Sequence, residues 1–170
     1  KKARKGKTQK SYVLEFEKNL RKNLLQLRTD LLFHAYIPEP LKTLTIKDPK
    51  TRKISKSSFK DRIVHHALCN IIEPVFERSF IYDSYANRKG KGTLKAIQRF
   101  DFFARKVSKN NTKTCWILKC DIRKFFPSIN HQVLLQILQE YIPDKNIIWL
   151  LGQVIDSFST AGNPAVGLPL

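Results

Sequence analysis

The excess positive charge of this chain is confined to its first two thirds. Residues 1–60 carry 17 Lys and Arg against 5 Asp and Glu, residues 61–113 carry 11 against 5, and residues 114–170 carry 4 against 4. The net charge of +18 therefore belongs to one part of the chain. Such an excess repels itself unless a polyanion binds, and nucleic acid is the common cellular polyanion. We therefore predict that the first two thirds bind nucleic acid through its phosphates.

The composition excludes several classes of protein. Apolar residues make up 42% of the chain and aromatic residues 11%, which is enough to bury a core. No stretch approaches the roughly 18 apolar residues of a membrane helix, and the N-terminus lacks the apolar segment of a secretory signal. Cys69, Cys115 and Cys120 do not make a disulfide framework. We expect a cytoplasmic protein without a membrane partner.

The spacing of apolar residues indicates an α+β fold. Apolar positions from Tyr12 to Leu31 recur every three or four residues, as on one face of a long helix. Two strand-like runs flank the turn-forming residues 48–51 and predict a β-hairpin or a loop. Residues 59–72 again have helical spacing, and Pro74 is expected to end or kink that helix.

The rest of the chain adds further helices and one strand. Residues 93–106 predict a helix with an inward-facing stripe. That stripe consists of Leu94, Ile97, Phe100 and Ala104. The apolar run at residues 114–122 (TCWILKCDI) predicts a short buried strand. Asn130 and Asp144 are placed to begin two more helices.

Three places combine residue types that could carry chemistry. Asp121 ends the apolar run, where its carboxylate could bind a hard cation or could simply cap the next turn. The loop at residues 83–92 interleaves basic side chains with glycines, so its backbone could lie against phosphates. The hairpin at residues 47–53 could clamp a triphosphate with its cations. For the loop and the hairpin, a solvated charged turn is the open alternative.

The sequence lacks the motifs of several other kinds of site. His65 and Cys69 have the i, i+4 spacing of a metal half-site, but no second pair with ligand spacing accompanies them. We therefore expect His65, His66 and Cys69 in the core or in supporting contacts behind a site. The sequence contains no G-x-x-x-x-G-K-[ST], no G-x-G-x-x-G and no G-x-S-x-G. Walker-type nucleotide hydrolysis and serine esterase chemistry are thus disfavoured.

Segments of the chain resemble, in order, the sequence blocks of bacterial retroelement reverse transcriptases. Residues 48–55 (DPKTRKIS) and 59–68 (FKDRIVHHAL) look like the first fingers blocks, and residues 84–93 (SYANRKGKGT) look like the next one. Residues 119–129 (KCDIRKFFPSI) resemble the palm block with the first catalytic aspartate, and residues 167–170 (GLPL) resemble the start of the template-positioning block. The similarity is greatest to the group II intron-like branch, which includes the enzymes of diversity-generating retroelements.

This resemblance implies a right-hand polymerase fold with fingers and an incomplete palm. Residues 1–10 would form a basic flexible arm, residues 11–113 a helical basic fingers region, and residues 114–170 a partial palm. N-terminal helices would accompany a small mixed or antiparallel sheet. A palm sheet without its central hairpin would leave strand edges unpaired, so poor stability or aggregation of this segment is expected.

The resemblance also implies roles for single residues. Asp121 would bind the catalytic Mg²⁺ ions, with the backbone carbonyl of Ile122 as a further ligand. Phe126 matches the bulky residue that excludes a 2′-hydroxyl from the sugar site. Arg52 matches the fingers arginine that holds the triphosphate, and Lys47 is a weaker match to its lysine partner.

Further positions match residues near the template strand. Arg88, Gly90 and Lys91 lie in the fingers block on the template side, and Leu168 and Pro169 match the loop beside the nascent base pair. The position after Pro169 is polar in many relatives but is a leucine in this chain.

The implied activity is that of an RNA-directed DNA polymerase, which copies RNA into DNA by Mg²⁺-dependent nucleotidyl transfer. Its partners would be an RNA template, a DNA primer and dNTPs, with an accessory protein as a further candidate. Family members supply more carboxylates from a Tyr-x-Asp-Asp hairpin that these 170 residues lack. The chain starts with Lys1 and has no methionine, so we expect a catalytically incomplete segment of a longer protein. The alternative is a non-catalytic, basic RNA-binding module derived from a reverse transcriptase.

Overall fold

The computed structural model describes residues 2–47, 49, 51–160, 163 and 165–169. The chain divides into two compact units, one made of Lys1–Glu73 with Lys124–Leu170 and the other of Pro74–Arg123. The described residues form seven α-helices, one turn of 3-10 helix at Lys2–Arg4 and one two-stranded antiparallel sheet. No helix among them is long and apolar enough to cross a membrane.

The elements follow one another along the chain with short connections. They are α1 (Ser11–Lys18), α2 (Leu20–Leu32), β1 (Lys42–Lys47), β2 (Thr51–Lys56), α3 (Phe59–Glu77), α4 (Thr93–Val107), α5 (Phe125–Ser128), α6 (His131–Tyr141) and α7 (Lys145–Asp156). Helices and a small antiparallel sheet together make the mixed α and β structure that the sequence predicts. The division into fingers and palm at residue 113 stays a prediction.

Several local predictions are confirmed. The two strands pair in register around the turn, with Lys47 opposite Thr51. The side-chain oxygen of Asn130 accepts the backbone N–H of residue 133 at 3.0 Å, and that of Asp144 accepts the N–H groups of residues 146 and 147 at 2.8 and 3.1 Å. These bonds satisfy donors that have no partner in the first turn of a helix, which is why α6 and α7 begin there.

The long N-terminal helix of the sequence prediction is instead two helices. The backbone leaves helical geometry at Asn19, which separates α1 from α2. The side-chain amide of Asn23 donates to the carbonyl of Phe16 at 2.8 Å and so satisfies a group that the break leaves exposed. The helical arm before α1 also has defined contacts, because Arg4 pairs with Glu17 at 3.2 Å. The flexibility of residues 1–10 stays a prediction.

Helix α3 continues past Pro74 to Glu77, so Pro74 does not end it, and a kink at Pro74 stays a prediction. Two predictions about the second unit are wrong. The side chains of Leu94, Ile97 and Phe100 are 69%, 59% and 53% exposed, and no residue of α4 is buried. An amphipathic helix buries its apolar stripe only where another element covers it, and no described element covers this stripe.

The second wrong prediction is the buried strand at residues 114–122. These residues form no strand, and Trp116 and Leu118 are 93% and 88% exposed. A β-strand exists only through hydrogen bonds to a neighbouring strand. The named strands in the described part of the chain, β1 and β2, pair with each other, so the apolar run has no strand beside it.

The core of the first unit is small. Leu27, Tyr36 and Val64 are buried together, from α2, from the segment before β1 and from α3. Partly buried apolar side chains pack around them, namely Leu31, Ile63, Trp149 and Leu150. The ring of Trp149 in α7 stacks on His34 with centroids 4.3 Å apart, which brings the C-terminal helices against the N-terminal ones.

A buried carboxylate fixes both ends of the hairpin. Asp61 is 1% exposed, and its oxygens accept the Tyr36 hydroxyl at 2.8 Å, the Glu39 backbone N–H at 3.0 Å and the Ser58 hydroxyl at 2.9 Å. Glu39 lies just before β1 and Ser58 just after β2. Burial and the hydrogen bond to Asp61 raise the pKa of Tyr36 well above its usual value, so this hydroxyl remains a donor.

Replacing Asp61 by asparagine should destabilise this part of the fold. An amide has one accepting oxygen and a nitrogen that only donates, so at least one of the three donors loses its partner. We expect Asp61→Asn to lower the free energy of unfolding by about 1–3 kcal/mol, measured by urea unfolding of the full-length protein. Tyr36→Phe should have a smaller effect in the same direction. The exposed Asp101→Asn is the control, and an equal loss in it would contradict the role of Asp61.

Candidate functional site

The hairpin carries the cations predicted to meet a triphosphate. Lys47 and Arg52 are both exposed near its turn, whose residues 48 and 50 lie outside the described part of the chain. Lys47 pairs with Thr51, and Arg52 pairs with Ile46. Since side chains alternate between the faces of a sheet, Arg52 and Lys47 stand on opposite faces. A ligand against one face contacts one of them directly and can reach the other only around the turn.

A second cationic site lies at the base of the hairpin, and sequence reasoning missed it. Lys56 and Arg62 lie 4.7 and 4.8 Å from the ring centroid of Tyr12, at one side of a cleft of about 540 Å³. A hydrogen bond with Arg62 holds the pKa of the Tyr12 hydroxyl below its usual value. Lys56 and Arg62 thus lie against an aromatic ring, and the ring attracts each cation by a cation–π interaction. The available sequence signal was Arg62, which follows Asp61 in the fingers block at residues 59–68.

The glycine-containing loop of the second unit is held by Arg88. Its guanidinium makes two bonds to a Glu77 carboxylate oxygen, at 2.7 and 2.9 Å, and donates to the carbonyls of Ile81 and Ser84 at 2.9 and 3.1 Å. The Arg88 side chain is 10% exposed. The hydrogen bond from Arg88 keeps the pKa of Glu77 below its usual value. The guanidinium donors of Arg88 therefore bond within the protein and hold the loop in its shape.

Other cations of this unit stack on aromatic rings. Lys91 lies 3.8 Å from the ring centroid of Tyr82 and 4.8 Å from that of Tyr85, and it also contacts the Tyr82 carbonyl. Arg99 pairs with Asp83 at 2.8 Å and holds the pKa of that carboxyl below its usual value. The loop is thus ordered by ion pairs and by contacts between cations and aromatic rings.

Gly90 lies at the open side of the same loop. Its φ is +70°, in the left-handed region that favours glycine. A Cβ built on it would meet no atom within 4 Å, so the backbone is accessible to a ligand. The structure brings together three of the predicted template-side residues, Arg88, Gly90 and Lys91, in one loop.

Asp121 and Ile122 lie at the end of the second unit and are exposed, Ile122 by 67%. Asp121 has no hydrogen bond or ion pair with any other described residue. No group of three or more His, Cys, Asp or Glu among the described residues could hold a metal ion. Mg²⁺ needs several oxygen ligands in a near-octahedral arrangement. One carboxylate and one carbonyl are too few, so the residues present do not by themselves fit a magnesium centre.

The metal half-site on α3 also remains incomplete. The Nε2 atom of His65 is buried and has no hydrogen-bond partner in the described structure. Burial lowers the pKa of His65, which keeps the ring neutral. Cys69 is a free thiol, as are Cys115 and Cys120. The expectation that His65 lies in or near the core is thus confirmed, whereas His66 and Cys69 are exposed.

Two predicted site residues from distant parts of the sequence meet in the first unit. The backbone N–H of Leu168 donates to the carbonyl of Phe126 at 2.9 Å, and that of Gly167 donates to the carbonyl of Ile129 at 2.8 Å. The Phe126 ring packs edge-on against Phe125 and is 42% exposed. Pro169 follows and is exposed, and residue 170 lies outside the described part. The structure therefore places the predicted sugar-site residue beside the predicted base-pair loop.

A buried histidine that sequence reasoning missed supports this contact. His131 is 3% exposed, with Nδ1 3.0 Å from Oδ1 of Asp156 and Nε2 2.6 Å from the carbonyl oxygen of Gly167. Its backbone N–H donates to the carbonyl of Ala165 at 3.0 Å. The only sequence signal was its position directly after the helix cap Asn130.

Known proteins are similar over most of this chain. Residues 45–165 match the family described as reverse transcriptase (RNA-dependent DNA polymerase). Protein YkfC of Escherichia coli is 28% identical over 144 residues, which are 84% of this chain and 36% of that protein.

Other relatives are named for introns, and two of them show how much of the chain is similar. The COX1/OXI3 intron 2 protein of Saccharomyces cerevisiae is 28% identical over 156 residues, 86% of this chain and 17% of that protein. The nuclear intron maturase 1 of Arabidopsis thaliana is 29% identical over 105 residues, 60% of this chain and 14% of that protein. The chain thus spans about a third or less of the length of the relatives it matches. Because the family match covers well over half of its residues, and includes the hairpin, the basic loop and the segment around Asp121, the chain belongs to the reverse transcriptase family.

Proposed function

We propose that this chain provides the fingers and part of the palm of an RNA-directed DNA polymerase. The protein would extend a DNA primer along an RNA template with dNTPs. The observation that best supports this is the backbone bond between Leu168 and Phe126, which joins the segments assigned to the nascent base pair and to the sugar of the incoming nucleotide. A polymerase that selects nucleotides must read base pairing and sugar in one place, because both belong to the same substrate.

The distribution of free cations supports a nucleic-acid substrate. Lys47, Arg52 and Lys53 are exposed on the hairpin. We assign Arg52 to the triphosphate and Lys47 to a secondary contact around the turn, because the two stand on opposite faces. Charge-assisted bonds to phosphate are stronger than neutral ones and suit an arginine with its planar fork.

The template strand is assigned to the loop of the second unit. Gly90 offers an accessible backbone, and Lys91 offers a positive charge beside it. Arg88 already donates to Glu77 and to two carbonyls, so we assign it the task of holding the loop in shape for the template. Intron names among the relatives favour an intron or other retroelement RNA as the template.

Asp121 is proposed as one of several carboxylates that hold Mg²⁺ in the complete protein, with the Ile122 carbonyl beside it. When bound in such centres, the metal stabilises charge on the attacking and leaving oxygens of phosphoryl transfer. The chain itself contributes an exposed carboxylate without another partner in the described structure. The remaining ligands would come from a Tyr-x-Asp-Asp segment elsewhere in the protein. Its absence from the full-length sequence would favour the non-catalytic RNA-binding module.

Asparagine at position 121 should abolish primer extension. The substitution keeps the shape of the side chain but removes the negative charge that a metal ligand needs. We expect Asp121→Asn in the full-length protein to reduce the rate of extension on an RNA template by about 10³-fold or more. Asp101→Asn removes an exposed carboxylate from α4 and should leave the rate nearly unchanged. Full activity in the Asp121 variant would reject its assignment.

Removing the ring of Phe126 should admit ribonucleotides. A smaller side chain leaves room for a 2′-hydroxyl, and steric discrimination of this size is worth about 1–3 kcal/mol. We expect Phe126→Ala to lower the preference for dNTP over rNTP by about ten- to a hundredfold, measured as the ratio of kcat/KM values. Phe125→Ala changes the neighbouring ring, in contact with Phe126, and should alter the preference far less. Equal effects of the two substitutions would contradict the proposed role.

The two faces of the hairpin provide a matched pair of variants. Arg52→Ala and Lys53→Ala each remove one exposed cation from adjacent positions of β2, but from opposite faces. If the triphosphate binds the Arg52 side, KM for dNTP should rise about ten- to a hundredfold in Arg52→Ala and little in Lys53→Ala. Steady-state kinetics of single-nucleotide extension give KM for dNTP in both variants. A larger effect of Lys53→Ala would place the triphosphate on the face shared with Lys47.

A further inference from the structure

We propose that the cleft at the base of the hairpin binds a guanine nucleotide, with the phosphate on Lys56 and Arg62 and the nucleobase on α2. The cleft lies within the first unit and has a volume of about 540 Å³. Pockets for small ligands span roughly 300–1,000 Å³, so a nucleotide fits. The inference concerns binding and does not rest on the proposed polymerase function.

Three cations converge on this cleft. Lys42 and Lys56 stand directly opposite each other in the strand ladder and therefore share one face of the sheet. Arg62 lies against the same Tyr12 ring as Lys56. None of these three cations forms an ion pair with a carboxylate in the described part of the chain. Like charges placed opposite each other repel, and an anion bound between them removes this repulsion.

Arg62 is held in position for such an anion. Its Nε donates to the carbonyl of Ser58 at 3.4 Å, and its guanidinium carbon lies 5.6 Å from the centroid of the Phe59 ring. Phe59 is buried, and its ring packs against those of Tyr12 and Phe16. The Ser58 carbonyl and the Tyr12 hydroxyl use two of the five N–H donors of Arg62. The other donors are available for phosphate oxygens.

The α2 side of the cleft offers hydrogen-bond acceptors. The side-chain amide of Asn23 donates to the carbonyl of Phe16 at 2.8 Å. The side-chain amide of Gln26 donates to Oδ1 of Asp30, also at 2.8 Å. Carbonyl and carboxylate oxygens only accept, so both amides turn their nitrogens to these partners and keep their oxygens as acceptors. The second oxygen of Asp30 and the carboxylate of Glu15 add further acceptors to the lining.

A ligand that fits this cleft carries an anion at one end and hydrogen-bond donors at the other. A nucleotide has its phosphate and its nucleobase in this arrangement. Guanine presents the adjacent donors N1–H and N2–H on one edge, and a carboxylate can accept both. Adenine, cytosine and uracil place an acceptor beside each donor group, which would face the acceptors of α2. The 17 basic against 5 acidic residues in residues 1–60 favour an anionic ligand as well.

The proposal is tested by calorimetric titration of the full-length protein with guanosine 5′-monophosphate (GMP). Primer, template and Mg²⁺ are left out, so that no polymerase substrate complex forms. We expect GMP to bind about ten- to a hundredfold more tightly than adenosine 5′-monophosphate (AMP), because AMP lacks the paired donors. Guanosine, without the phosphate, should also bind about ten- to a hundredfold more weakly than GMP. Equal affinities for GMP and AMP, or no binding of GMP, would overturn the proposal.

Two variants locate the nucleotide in the cleft. Arg62→Ala should lower the affinity for GMP about ten- to a hundredfold and that for guanosine far less, because the lost contact is with the phosphate. Asp30→Asn should reduce the preference for GMP over AMP about tenfold. Arg28→Ala removes an exposed arginine of α2 that does not line the cleft and should match the wild type. An equal loss in Arg28→Ala and Arg62→Ala would place the phosphate elsewhere and overturn the proposal.

Lys56→Ala covers the case in which Arg62→Ala does not fold. We expect this variant to keep the thermal unfolding temperature of the wild type, because Lys56 forms no ion pair with a described carboxylate. Its affinity for GMP should fall about tenfold. Wild-type affinity in the folded Lys56→Ala variant would overturn the assignment of the phosphate.

The nucleotide can be free or part of an RNA strand, and a pentanucleotide with one guanine between adenines distinguishes the two sources. If this RNA displaces GMP and binds more weakly to Arg62→Ala, the cleft takes a guanine within RNA. If it does not displace GMP, the cleft takes the free nucleotide. Primer extension is measured separately on the same protein, so its failure would refute the polymerase function and leave the result for GMP standing.

Discussion

The Asp61 carboxylate is the constraint on which the first unit depends. One buried group accepts bonds from the segment before β1, from the residue after β2 and from a core tyrosine. A buried carboxylate is costly unless its oxygens are satisfied, so these three segments must come together or the charge must be removed. The base of the hairpin is therefore rigid, although the hairpin itself is exposed. The hairpin that carries Arg52 is thus attached to the core at both of its ends.

The second unit is ordered by different forces. Its apolar side chains on α4 are largely exposed, and its loop is held by Arg88 with Glu77, Arg99 with Asp83 and Lys91 with two tyrosines. A count of charges would assign these basic residues to phosphate binding. Several of them already contact carboxylates, carbonyls or aromatic rings of the protein itself. The number of basic residues in a segment therefore overstates how many of them are free to bind phosphate. Those with the fewest internal contacts are the better candidates.

The segments assigned to substrate selection are joined by backbone hydrogen bonds. Residues 126–131 and 165–168 lie side by side, with Leu168 bonded to Phe126 and His131 bonded to Gly167. A backbone contact holds regardless of side-chain identity, and this suits a site that must keep one geometry for four different bases.

The sequence by itself determined what depends on neighbouring residues. The two strands of the hairpin, the caps at Asn130 and Asp144, and the order of the family blocks were all predicted, because local hydrogen bonds and short motifs carry them. The tertiary structure alone decided whether the apolar stripe of α4 is covered, whether residues 114–122 pair as a strand, and that Asp61 and His131 are buried among donors and acceptors. Burial and strand pairing belong to two segments at once, so the spacing within one segment cannot determine them.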